Sequence, residues 1–99
     1  MKLKNRVAVI TGANRGLGEV IARTFAEEGA GLVLAARDGE LMQRVAQSLP
    51  HAGDQRVEWL QADVSVSRDI EAIRERAIAS FGRVDILVNN AGVYGPIGS

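Results

Sequence analysis

Two kinds of apolar pattern alternate along the chain. Four short runs are largely apolar without interruption: Val7–Thr11, Leu32–Ala36, Val57–Ala62 and Val84–Val88. Between them lie three stretches in which apolar residues recur every three or four positions. Leu17, Val20, Ile21, Phe25 and Ala26 form the first stripe, closed by Gly29. Leu41, Met42, Val45, Ala46 and Leu49 form the second, stopped by Pro50. Ile70, Ile73, Ala77 and Phe81 form the third, closed by Gly82, with Ser65 or Ser67 as its expected N-cap. Recurrence at this interval predicts amphipathic helices, and Gly and Pro are their natural stops.

Short continuous runs suit strands buried on both faces of a parallel sheet. Strand–helix alternation then builds right-handed βαβ units. The expected fold class is α/β: a three-layer αβα doubly wound parallel sheet (a Rossmann fold), present as a βαβαβαβ portion with strand order 3-2-1-4. In that order the topological switch falls between the first and fourth strands. Both borders of that crevice carry distinctive residues: Thr11-Gly12-Ala13-Asn14-Arg15-Gly16-Leu17-Gly18 after the first strand and Asn89-Asn90-Ala91-Gly92 after the fourth. Glycines at these spacings let the backbone turn tightly and approach a phosphate with no Cβ in the way. The helix that follows offers unpaired N–H groups and a partial positive charge to the same phosphate.

Composition narrows the chemistry. The chain has 99 residues, with 46% hydrophobic and 24% charged, which fits one small domain. Lys+Arg and Asp+Glu stand at 12 each, a balance that argues against a nucleic-acid binder. With no cysteine there is no disulfide, thiolate metal site or Cys nucleophile. His51, the one histidine, lies in a Gly/Asp-containing loop without a partner, so no metal site is expected. The apolar run before Gly12 is too short for a signal peptide or a membrane span, and a cytoplasmic protein is the expectation.

The spacing Thr-Gly-x-x-x-Gly-x-Gly, seen as Thr11, Gly12, Gly16 and Gly18, joins Asp63-Val64 after the third strand and Asn89-Asn90-Ala91-Gly92 after the fourth. With these three motifs the chain resembles the short-chain dehydrogenase/reductase family over nearly its whole length. The resemblance implies that Gly12, Ala13, Asn14 and Arg15, with Gly16 in the same turn, line the pyrophosphate and adenosine side of a nicotinamide dinucleotide. It implies that Leu17 meets the cofactor through its backbone and that Gly18 lets the helix pack closely on the sheet. Asp63 and Val64 are similar to the pair bordering the adenine, and Asn90 to the asparagine near the ribose. The resemblance further implies that Asn89 ties neighbouring strands together and that Ala91 and Gly92 let the backbone pass close to the cofactor.

The end of the second strand bears on which dinucleotide is bound. An acidic residue there would hydrogen-bond the adenosine ribose of NAD and repel a 2′-phosphate. The chain has Ala36 and then Arg37 in this place, and Arg15 approaches from the glycine turn. A guanidinium engages phosphate through paired, charge-assisted hydrogen bonds, so NADP is expected rather than NAD. Asp38, one residue later, reads as a solvated residue at the start of the next helix. Each residue has a plainer reading. Arg37 could be one more solvated arginine, Asp63 could only cap a turn, and Trp59 is core packing.

The resemblance also implies reversible hydride transfer between nicotinamide and an alcohol or carbonyl. That reaction uses a tyrosine made acidic by a lysine four residues on, a serine and a further asparagine. None of them can be located here. Tyr94 is followed four residues later by Gly98, and Ser99 is terminal. Residues 1–99 are therefore expected to be the N-terminal part of a single NAD(P)-binding domain, lacking the catalytic C-terminal part and inactive alone. The fourth strand would be left as an edge, and self-association into a homo-oligomer is expected. The alternative is a non-catalytic dinucleotide-binding module, a half-Rossmann unit. The extended branch of the family, with Gly-x-x-Gly-x-x-Gly spacing, fits Gly12, Gly16 and Gly18 less well.

Overall fold

A computed structural model describes residues 2–90 of the chain. Its elements run β1 (Val7–Thr11), α1 (Gly16–Glu27), β2 (Gly31–Ala36), α2 (Gly39–Ser48), β3 (Val57–Gln61), α3 (Ser67–Phe81) and β4 (Ile86–Asn89). The four strands form one parallel sheet in the order β3-β2-β1-β4. The βαβαβαβ succession and the strand order are those expected.

Alternation along the central strands divides the interior into two cores. Ala8, Ile10, Leu32 and Leu34 face α1 and α2, whose Ala22, Ala26, Met42, Val45 and Ala46 complete the larger one. Val9, Val33 and Ala35 face the other way, toward Ile73 and Ala77 of α3. Helices thus cover both faces, which gives three layers. Ile10, Leu32, Leu34 and Met42 are completely buried, and truncating any of them to alanine costs roughly 2–5 kcal/mol.

Three expectations are corrected. Burial on both faces holds for β1 and β2 but not for the edges: β3 is half-buried and β4 alternates between half-buried and exposed. An edge strand lacks the neighbour that would finish covering its side chains. The fourth strand also starts at Ile86 rather than Val84. Asp85 intervenes: its amide donates to the Val7 carbonyl at 2.8 Å, and its carboxylate accepts from Val7 N at 2.8 Å and pairs with Arg83 at 2.7 Å. That cluster is a turn fastened to the start of β1, and regular pairing begins only beyond it. Finally, neither Ser65 nor Ser67 caps α3. Val66 is the N-cap, because the Ser65 hydroxyl is drawn back to Asp63 and Ser67 is already helical. Gly82 does close α3, in the left-handed conformation at φ 78°.

Candidate functional site

The turn after β1 is held to the sheet by its first residues. Gly12 N donates to the Ala35 carbonyl at 2.8 Å, which keeps the exit from β1 against β2. Gly12 and Gly16 take φ of 64° and 57°, a region that costs a side-chain-bearing residue roughly 1–2 kcal/mol. Arg15 is the extended N-cap of α1, and no side chain caps this helix end. An anion held here would meet the helix's first N–H groups and the positive end of its dipole. At Gly18 a Cβ would run into the Gly12 carbonyl and stand 2.7 Å from Asn90 Nδ2. The helix is therefore seated directly on its own turn, and glycine is required by contact rather than by conformation.

A second set of bonds closes the switch point between β1 and β4. The Thr11 hydroxyl donates to Asn89 Oδ1 at 3.0 Å and accepts from Asn90 N at 3.0 Å. Asn90 Nδ2 donates in turn to the Gly12 carbonyl at 3.4 Å. Asn89 thus ties β4 to β1, and Asn90 is brought onto the glycine turn. Thr11 holds both, a role that its place in the glycine motif did not reveal.

The remaining candidates sit along the same carboxyl-terminal edge of the sheet. Arg37 is exposed beyond the end of β2 and forms no ion pair among the described residues. Asp38 Oδ1 accepts from Leu41 N at 3.0 Å, so this carboxylate caps α2. Beyond β3, Asp63 Oδ1 accepts from Ser65 N at 2.9 Å and from the Ser65 hydroxyl at 2.7 Å. The plainer reading of Asp63, a turn cap, is realised in these bonds. They hold its carboxyl below the usual range; partial burial opposes them, and the Arg37 charge adds a smaller pull in the same direction. Asp69 Oδ2 fixes the same turn by accepting from Asp63 N at 2.8 Å, a partner with no signal in the sequence pattern.

The candidates divide by exposure. Arg15, Gly16 and Leu17 are open to solvent, and Leu17 is 64% exposed although apolar. Ala13 and Asn14 are turned inward and buried, while Val64 packs against the α3-side core. Ala91 and Gly92 lie outside the described residues, as does Tyr94. The glycine turn, the start of α1 without a side-chain cap, Arg15 and Arg37 thus lie along one edge of the sheet, with Asp38 Oδ1 turned onto its own helix. Among the described residues no cluster of His, Cys, Asp or Glu could hold a metal, and no helix is long and apolar enough to cross a membrane. The amino-terminal end of the sheet carries a cleft of about 800 Å³ lined by Lys4, Arg6, Arg56 and Arg83. Its three arginines are already paired with Asp85 or Glu58, which leaves little to attract an anion.

Comparison with known proteins agrees with this fold. The family model described as short chain dehydrogenase matches residues 6–98. The chain is 40% identical over 98 residues to 1-deoxy-11-beta-hydroxypentalenate dehydrogenase from Streptomyces exfoliatus, covering 99% of this chain and 35% of that one. Among solved structures, L-sorbose reductase from Gluconobacter frateurii, complexed with NADPH and L-sorbose, superimposes with a TM-score of 0.86 at 43% identity, over 94% of this chain and 35% of that one. A 3-ketoacyl-(acyl-carrier-protein) reductase from Brucella melitensis complexed with NADH gives 0.76 at 42% identity, over 85% and 33% of the two chains. The chain spans between 25% and 38% of the length of the first curated relatives it matches.

Proposed function

The chain belongs to the short-chain dehydrogenase family, and from that premise we propose that it is the cofactor-binding part of an NADP-dependent oxidoreductase. The reaction is hydride transfer between the nicotinamide and an alcohol or carbonyl substrate, in which the bound cofactor would give hydride to a carbonyl or take it from an alcohol. In this reading Gly12, Ala13, Asn14, Gly16, Leu17 and Gly18 form the wall against the pyrophosphate, where backbone N–H groups and the α1 dipole neutralise its charge. Arg15 and Arg37 take the 2′-phosphate. Asp63 and Val64 border the adenine, Asn90 lies near the cofactor ribose, and Ala91 and Gly92 let the backbone pass close to the cofactor. Residues 1–99 hold no tyrosine followed four residues on by a lysine, so by themselves they are expected to be inactive. Self-association is supported by the edge strand β4, where Leu87 is 67% exposed.

One observation carries the choice of NADP. Arg37 directly follows β2, and the nearby carboxylate of Asp38 is committed to the α2 amide of Leu41. One oxygen of the Asp38 carboxylate is thereby turned onto its own helix, and Arg37 supplies the cation that a 2′-phosphate would meet at the strand end. Equilibrium titration of the full-length protein with NADPH and NADH tests the reading. NADPH is expected to bind at least about tenfold tighter, on the scale of one charge-assisted hydrogen-bonded pair. Arg37→Ala should remove most of that preference. Equal affinities in the unaltered protein, or a preference untouched by Arg37→Ala, would overturn it.

A further inference from the structure

The residue that ends β3 reaches across to the turn carrying Arg37. Gln61 Nε2 donates to the Arg37 carbonyl at 2.9 Å. Gln61 stands opposite Ala36 in the β2–β3 register, and the next amide, Ala62 N, donates to the Ala36 carbonyl at 2.9 Å. The β2–α2 turn is thus held at three successive residues: Ala36 by the β3 backbone, Arg37 by the Gln61 side chain, and Asp38 by its own cap on Leu41. Gly39 completes the arrangement. A Cβ at that position would lie 3.0 Å from Gln61 Oε1 and 3.1 Å from Gln61 Cβ, so glycine leaves the room in which the amide lies.

Because peptide units are planar, holding the Ala36 and Arg37 carbonyls fixes the two planes that flank the Arg37 Cα, and with them the direction in which its side chain leaves the backbone. The guanidinium has no ion pair of its own among the described residues, so its aim depends on this backbone support. We infer that Gln61 is a positioning residue for 2′-phosphate recognition: its amide holds the Arg37 carbonyl, and Gly39 leaves it the space to do so. The inference rests on the reading of Arg37 as the partner of the phosphate. Gln61 does not touch the cofactor in this role. Its effect should appear as selectivity between two dinucleotides that differ only in that phosphate.

The test is a cycle of binding titrations on the full-length protein with NADPH and NADH. Gln61→Met keeps the length of the side chain and removes the donor. It should weaken NADPH about fivefold, the scale of one net hydrogen bond, and leave NADH unchanged. In the Arg37→Ala background the same change should have no further effect, because the two residues act as one unit. Gly39→Ala approaches the amide from the other side in a residue type that favours helix, so the fold is retained; it should shift the NADPH:NADH ratio in the same direction by a smaller factor. If Arg37→Ala leaves NADPH binding intact, the phosphate reading itself fails. If Arg37→Ala weakens NADPH but Gln61→Met moves both dinucleotides equally, moves neither, or adds to Arg37→Ala, only the role of Gln61 is overturned. Should Gln61→Met fail to fold, Gly39→Ala decides the matter, and an unchanged ratio there overturns it.

Discussion

The turns after β1 and β2 both lead from a buried central strand into a helix, yet they treat the helix end differently. After β2, Asp38 folds its carboxylate onto Leu41 N and satisfies α2 from within. After β1, the corresponding position is Arg15, an extended N-cap whose side chain makes no capping bond. One turn is complete as it stands and displays a cation, Arg37. The other leaves amide donors uncapped by any side chain and carries glycines that keep its surface low. Stability alone would favour an Asp or Ser at Arg15, by about 1 kcal/mol. The start of α1 thus keeps amides that no side chain satisfies, as the reading of this turn as a phosphate site requires, whereas the start of α2 is satisfied from within.

The severest way to break this contrast is at Gly18. A valine there has nowhere to go but into the Gly12 carbonyl, and α1 must lift from the turn. Overpacking of this kind costs roughly 1–3 kcal/mol, and dinucleotide binding should be lost by far more than tenfold. Urea denaturation and NADPH titration of Gly18→Val measure the two effects; unchanged binding would mean that α1 is not seated as described.

A gentler change exchanges the characters of the two turns. Arg15→Asp gives α1 the cap that α2 already has. Stability should rise by about 1 kcal/mol while NADPH affinity falls at least about tenfold, since the new carboxylate occupies the amides and repels phosphate. The neutral cap in Arg15→Ser should stabilise similarly with a smaller loss of affinity. If stability does not rise in either variant, the end of α1 is not uncapped in solution. The converse, Asp38→Ala, should cost about 1 kcal/mol in denaturation and leave the NADPH:NADH ratio where it was. A rising ratio would show that Asp38 faces the cofactor rather than its helix.

The order of strands and helices was legible because continuous apolar runs and three-to-four-residue stripes are strong, separate signals, and Val7–Thr11 matches β1 at both ends. The edges were less legible. Val84 reads like a strand residue, but nothing in an apolar pattern announces that Asp85 will fasten the turn to Val7 and delay β4 until Ile86. The same holds for caps. Ser65 looked available to α3, yet its hydroxyl is taken by Asp63, an exchange that depends on the tertiary course of the loop. In the candidate site the glycines and Arg37 stood out by type and spacing. Gln61 did not, and the role of Thr11 was hidden within its motif, because each acts through a hydrogen bond to another strand or turn, and such partners have no periodicity.

The smallest expected effect concerns acid and compares the two ends of the sheet. Asp63 at the carboxyl end is held below the usual carboxylate range chiefly by the Ser65 hydroxyl and amide. Asp85 at the opposite end is held low first by Arg83, then by the Val7 amide, with Arg6 contributing least. In both cases the folded-state pKa lies below the unfolded one, so the unfolded chain takes up protons first as pH falls. Each group therefore stabilises the fold fully above the ordinary carboxylate pKa of about 4, and its contribution fades as pH drops through the lower folded value. Stability measured by urea denaturation should be level between about pH 7 and 5 and decline below about pH 4. Asp85→Asn should flatten that decline more than Asp63→Asn, because the Asp85 carboxylate joins the start of β1 to the turn before β4, whereas that of Asp63 closes only a local turn. The reverse ranking would mean that the Arg37–Asp63 end of the sheet, and not the Asp85 cluster, carries the acid sensitivity of the fold.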